Sequence, residues 1–231
     1  MTGNSLSTEL FDAIWAKNCA AAVFHLGASL LLFFWIRKNG LTERYGLCKA
    51  ELPARRFLWY IPLVILASRN LWNGTAAPLS ITDAVFSVCS MAGAGFLEEV
   101  LFRGFLFRAV SRNGVGRGMV ISSVFFGLGH IANLFNSRGM GLVENIWQII
   151  FATAFGFLCV ILFHRGKTLW PCIAAHSAFN VASVFAKRAE VTDPAQIYQN
   201  TAAFFLVIGY AWFLSRTLPE SGRDPDTETR L

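Results

Sequence analysis

The sequence predicts an all-α fold: a polytopic transmembrane helical bundle of about seven to eight helices. Three observations predict it. Of 231 residues, 55% are hydrophobic and only 15% are charged, whereas a soluble domain carries roughly a quarter charged residues. The apolar residues gather into long blocks, and the mean hydropathy is +0.49. All seven tryptophans (Trp15, Trp35, Trp59, Trp72, Trp147, Trp170, Trp212) fall within four residues of a block's end. An indole there can bury its ring and keep its N–H near water.

The blocks run in order over 13–36, 57–72, 84–107, 118–135, 144–163, 168–186 and 201–215. The first is long enough for two helices or one tilted helix. The second and the last are short for a bilayer that takes roughly 20 residues per helix. Residues 1–12 read as a polar N-terminal lead. Residues 13–216 form a single membrane domain without internal repeats, and 217–231 read as a disordered cytoplasmic tail. The blocks lack the two-residue alternation of a barrel, so helices alone can satisfy the backbone in lipid. The N-terminus has no basic region before the first block, and that block is too long for a cleavable signal.

The net charge of +6 is explained by its distribution. With the N-terminus outside, one set of loops and the tail carry Arg37, Lys38, Arg44, Lys49, Arg55, Arg56, Arg108, Arg112, Arg117, Arg165, Lys167, Arg216, Arg223 and Arg230. The opposite loops carry only Arg138, Lys187 and Arg188. This asymmetry is the positive-inside pattern, placing the C-terminus in the cytoplasm. It implies contact with anionic lipid headgroups and no nucleic acid. The five cysteines (Cys19, Cys48, Cys89, Cys159, Cys172) show no metal-ligand spacing, and four lie in apolar blocks, where a thiol acts as a small hydrophobe.

Against this background three polar groups are costly and therefore informative. Glu98 and Glu99 stand side by side in an apolar run, with Arg103 four residues beyond Glu99. On a helix Glu99 and Arg103 share a face and can pair, while Glu98 points about 100° away. The bland reading of that pair is charge neutralisation within one helix. It leaves Glu98 without a local partner, as suits a general acid or base. Phe126 and His130 are four apart, as are His176 and Asn180. Gly127, Gly129, Ala174, Ala175, Ser177 and Ala178 beside them would let helices approach closely. Taken singly, each histidine reads as a structural hydrogen-bonder. Taken together, Glu98, His130 and His176 all lie roughly 14–20 Å along their helices from the basic flank, which points to one shared site. Lys17, His25, Glu144 and His164 read as structural or interfacial.

The ordered set Glu98-Glu99-x-x-x-Arg103, Phe126-x-x-x-His130 and His176-x-x-x-Asn180 resembles the signature motifs of the CPBP family. Those are CAAX prenyl protease 2-like, or Abi, intramembrane glutamic endopeptidases. The resemblance covers about residues 84–186. It implies a metal-free membrane protease without a cofactor. Carried over, Glu98 would be the general base, and His130 would hold and polarise the water. His176 and Asn180 would stabilise the oxyanion, and Glu99 with Arg103 would position the helix. A polar cavity opening toward the cytoplasmic side would admit water. The substrate would be a protein or peptide with a membrane-embedded or lipidated segment, in the inner membrane of a bacterium. Three other readings compete: zinc held by Glu98, His130 and His176; a proton-coupled transporter; and a non-catalytic scaffold or immunity factor.

Overall fold

The apolar blocks fold into helices, of which the block at 57–72 is broken into short pieces. The computed structural model describes residues 3–78, 80–135, 141–187, 189 and 192–219, with side chains from Trp15 onward. The tail from residue 220, and Arg138 and Arg188 of the opposite loops, lie outside the described residues. Helix α1 (Gly3–Lys38) is one uninterrupted rod, and it takes in residues read as a polar lead. A 3-10 turn (Ala54–Tyr60) leads into α2 (Ile61–Ala67), and a second turn follows (Arg69–Leu71). Helix α3 (Ile81–Glu99) continues through a π segment (Val100–Phe107) into α4 (Arg108–Ser111). Helix α5 (Val115–Gly129) ends in a 3-10 turn (His130–Leu134). Helices α6 (Leu142–Gly166), α7 (Trp170–Val184) and α8 (Pro194–Thr217) complete the bundle.

Among the described residues five rods are long and apolar enough to cross a membrane: 15–38, 81–111, 115–134, 142–166 and 194–217. The last is 24 residues, longer than its hydropathy predicts. Its first turns are polar (Gln196, Gln199, Asn200), yet Asp193 caps them by accepting from the Ala195 N–H at 2.9 Å. Conversely α7, read as a full span, has only 15 residues. The block at 57–72 is short because Leu58, Trp59 and Tyr60 adopt φ of 51°, 49° and 59°, a left-handed stretch that ends the turn before α2. The Tyr210 hydroxyl secures this stretch by donating to the Phe57 carbonyl at 2.6 Å.

Without a hydrophobic drive between helices in lipid, small residues decide which rods meet. Helix α3 packs against α1 and α7, and α5 packs along α6. A Cβ on Gly95 would stand 2.8 Å from the backbone N and Cα of Ser177, so α3 and α7 touch there. The Ser177 hydroxyl donates to the Ala92 carbonyl at 3.0 Å across the same contact. Gly127 is equally tight against α6, 2.8 Å from the Ile149 carbonyl. Gly129 differs: nothing lies within 4 Å of its added Cβ.

The two ends of the bundle differ in polarity. Toward the basic flank, Ile36, Leu47, Val100, Phe107, Phe163 and Leu169 form a buried apolar cluster. The loop after α1 closes it, with the Leu169 N–H donating to the Gly46 carbonyl at 2.7 Å and the Thr168 hydroxyl to the Cys48 carbonyl at 2.7 Å. At the opposite end Thr75 pairs with Ala186, and side-chain amides gather. Large apolar side chains occupy the basic end, the side toward which the sequence predicts a polar cavity to open.

Candidate active site

The site is built on the junction between α3 and the π segment, with α7 on one side and the end of α5 on the other. Glu99 is the last α-helical residue before the π segment. Widenings of the π type occur often at functional sites. Glu99 and Arg103 are both 0% exposed, and a guanidinium nitrogen of Arg103 lies 3.1 Å from Glu99 Oε1. The contact has ion-pair distance without aligned hydrogen-bond geometry, for the Arg103 nitrogens make no hydrogen bond among the described residues. The guanidinium carbon instead lies 4.0 Å from the centre of the Phe126 ring, a close cation–π contact.

His176 reaches the same carboxylate from α7. Its Nδ1 lies 2.8 Å from Glu99 Oε1, and its Nε2 lies 3.6 Å from Glu98 Oε2. An ionised carboxylate only accepts, so the short contact assigns the proton to Nδ1. Glu98 is 37% exposed, in contrast to its buried neighbour. The helical rotation that separates the two glutamates thus buries one against its partners and leaves the other partly exposed.

Phe126 connects the remaining histidine. Its ring meets His130 edge-on at 5.3 Å and His176 edge-on at 5.6 Å. Phe155 supports His176 from α6 at 5.8 Å. His130 Nδ1 bonds to the Phe126 carbonyl at 3.0 Å, which leaves Nε2 as an acceptor in the neutral ring. The Asn145 amide donates to the His130 carbonyl at 2.8 Å and anchors the end of α5. Asn180 lies one turn from His176 on the same face of α7.

Four of the six residues singled out in the sequence, Glu98, Glu99, Arg103 and His176, are thus joined by direct contacts, and Phe126 brings in His130. Asn180 is placed by helical spacing. The sequence reading missed Phe155 and Asn145. An asparagine buried inside an apolar helix was the available signal for the latter. His25 bonds Ser90 at 2.9 Å between α1 and α3. His164 belongs to the last turn of α6, against Phe107, instead of the loop. Among the described residues Glu99, Cys159 and Cys172 bring donor atoms within 4.8 Å of one another. Arg103 already lies against that Glu99 carboxylate.

Fold and site together define a polytopic helical membrane protein with a Glu–His–Arg cluster inside its bundle. Residues 80–182 match the family described as "Type II CAAX prenyl endopeptidase Rce1-like". A Bacillus subtilis (strain 168) protein named "Putative membrane peptidase YdiL" is 28% identical over 141 residues, covering 59% of this chain and 51% of its own. The chain therefore spans about half the length of the curated relative it matches. No solved structure matches it. Residues 80–182, which contain the three motifs, are thus similar to CAAX-type membrane endopeptidases.

Proposed function

We propose that the protein is an intramembrane glutamic endopeptidase that hydrolyses a peptide bond with a water held between Glu98 and His176. The observation that carries this reading is the single imidazole set between two carboxylates of opposite exposure. The 3.6 Å from His176 Nε2 to Glu98 Oε2 is too long for a direct hydrogen bond and suits a shared ligand. Glu98 takes a proton from the water, whose oxygen attacks the scissile carbonyl. His130 Nε2 accepts the water's other proton in a hydrogen bond. The oxyanion receives hydrogen bonds from Asn180 and from His176. Such donors are worth about 3–4 kcal/mol each in a dry site. Glu98 then returns its proton to the leaving amine, and the intermediate collapses to acid and amine.

Glu99 and Arg103 act through His176, fixing the ring while remaining mutually neutralised. The reaction asks for no cofactor. The substrate is a protein or peptide with a membrane-embedded or lipidated segment, and membrane lipids surround the bundle. The basic asymmetry of the loops supports an N-terminus outside and a C-terminus in the cytoplasm of a bacterial inner membrane. The test compares the membrane proteome of cells carrying wild-type protein with that of cells carrying Glu98→Gln. Products present only with wild type are expected. Purified Glu98→Gln that cleaves such a substrate at the wild-type rate would falsify the general-base role.

A further inference from the structure

Arg69 is a partly buried cation that the hydrolytic chemistry does not use. Arg69 sits in the turn between α2 and the loop leading to α3. Its guanidinium carbon lies 4.9 Å from the centre of the Phe151 ring, and one terminal nitrogen donates to the Asn200 side-chain oxygen. Its Nε is buried and makes no hydrogen bond. The surroundings are neutral amides. Gln196 Nε2 donates to Asn200 Oδ1 at 2.8 Å, and Gln199 Nε2 donates to Asn73 Oδ1 at 3.0 Å. Arg103, buried at the proposed catalytic site, has Glu99. Among the described residues Arg69 has no carboxylate partner.

The position is adjacent to the proposed catalytic wall. The Phe151 ring under the guanidinium stacks on Phe179 at 6.3 Å, and the Asn70 amide holds the Phe179 carbonyl at 2.8 Å. The next residue is Asn180, on the His176 face of α7. Arg69 thus lies at the amide-rich end of the bundle, a few residues of extended peptide from His176 at about 3.3 Å per residue. A guanidinium compensated only by amides in a low-dielectric setting favours an incoming anion, and its planar fork matches a carboxylate.

We propose that Arg69, with Asn200, forms a subsite that binds a carboxylate of the peptide substrate, either its C-terminus or an acidic side chain. The proposal rests on the protease reading, but its test does not require cleavage. The probes are fluorescent, alkyl-anchored octapeptides of one sequence with a C-terminal carboxylate or carboxamide, and with an internal Glu or Gln. Affinity for detergent-solubilised full-length protein is read by anisotropy, and hydrolysis is followed separately. Wild type should bind one carboxylate form at least tenfold more tightly than its neutral twin, and which pair discriminates identifies the source. Arg69→Gln should abolish the discrimination by weakening only the carboxylate form, and Arg69→Lys should retain part of it. Equal affinity of wild type for both members of both pairs overturns the subsite whether or not any variant folds. So does an Arg69→Gln variant that loses both forms equally. Discrimination without hydrolysis leaves the subsite standing and counts against the protease reading, whereas hydrolysis without discrimination does the reverse.

Discussion

His176 is hydrogen-bonded through Nδ1 to Glu99 Oε1 at 2.8 Å and presents Nε2 to Glu98 Oε2 at 3.6 Å. Consecutive residues in the chain thereby differ in setting: Glu99, fully buried, backs the imidazole, and Glu98 is partly exposed, which in the proposed mechanism gives them different tasks. The two should separate on mutation. Glu98→Gln is expected to keep the unfolding temperature near that of wild type while cutting cleavage at least 100-fold. Glu99→Gln leaves Arg103 as an uncompensated buried charge, a change that costs about 3–5 kcal/mol, and should lower both stability and rate. Thermal unfolding in detergent beside a cleavage assay measures the split. Equal destabilisation by the two variants contradicts it.

The Glu99–Arg103 pair invites a double substitution. Removing one partner of a buried pair is strongly destabilising, whereas replacing both with apolar side chains is often neutral or favourable. Arg103→Met alone also removes the cation from the Phe126 ring. The combination of Glu99→Met with Arg103→Met should therefore recover most of the stability lost by either single change, and it should remain inactive because His176 has no carboxylate behind it. The coupling energy from the four unfolding curves decides the matter. Additive losses would mean that the two charges are not compensating each other.

The rods and the polar convergence were legible in the sequence because hydropathy and four-residue spacing report directly on which helix faces tolerate lipid. The Glu99–Arg103 contact follows from that spacing. Three features were not legible. The left-handed residues Leu58, Trp59 and Tyr60 are ordinary apolar side chains, and no composition marks their backbone. The polar first turns of α8 lower its hydropathy although the helix continues through them. The bond from His176 to Glu99 depends on how α7 is rotated against α3, a tertiary choice made by Gly95 and Ser177. Spacing paired Glu99 with Arg103 and left Glu98 for a partner on another helix, so it did not point to Glu99 as the partner of His176.

Asn145 offers a test of the His130 arm without altering any histidine. It is 0% exposed, and its amide holds the His130 carbonyl at 2.8 Å, where α5 passes into a 3-10 turn. Asn145→Ala removes that donor. The expected cost is about 1–3 kcal/mol of stability, with a roughly tenfold fall in kcat and little change in KM if His130 acts on the water. Steady-state kinetics on the purified variant supplies the comparison. Unchanged kcat would detach His130 from the chemistry.

The α3–α7 contact should control the whole site. Gly95 is buried, and its missing side chain lets the Ser177 backbone sit where a Cβ would be only 2.8 Å away. His176 immediately precedes Ser177, so any displacement of α7 carries the imidazole with it. Gly95→Ala must push the helices apart or distort them, at about 1–3 kcal/mol for overpacking. A displacement of about 1 Å at the reacting groups can cost 100-fold in rate. Gly129→Ala is the matched control, since its added carbon meets nothing within 4 Å. The expected result is a large loss of cleavage for Gly95→Ala and close to none for Gly129→Ala, with Gly95→Ser no better than Gly95→Ala. Full activity in Gly95→Ala would show that the distance from His176 to the two glutamates is not set at this crossing.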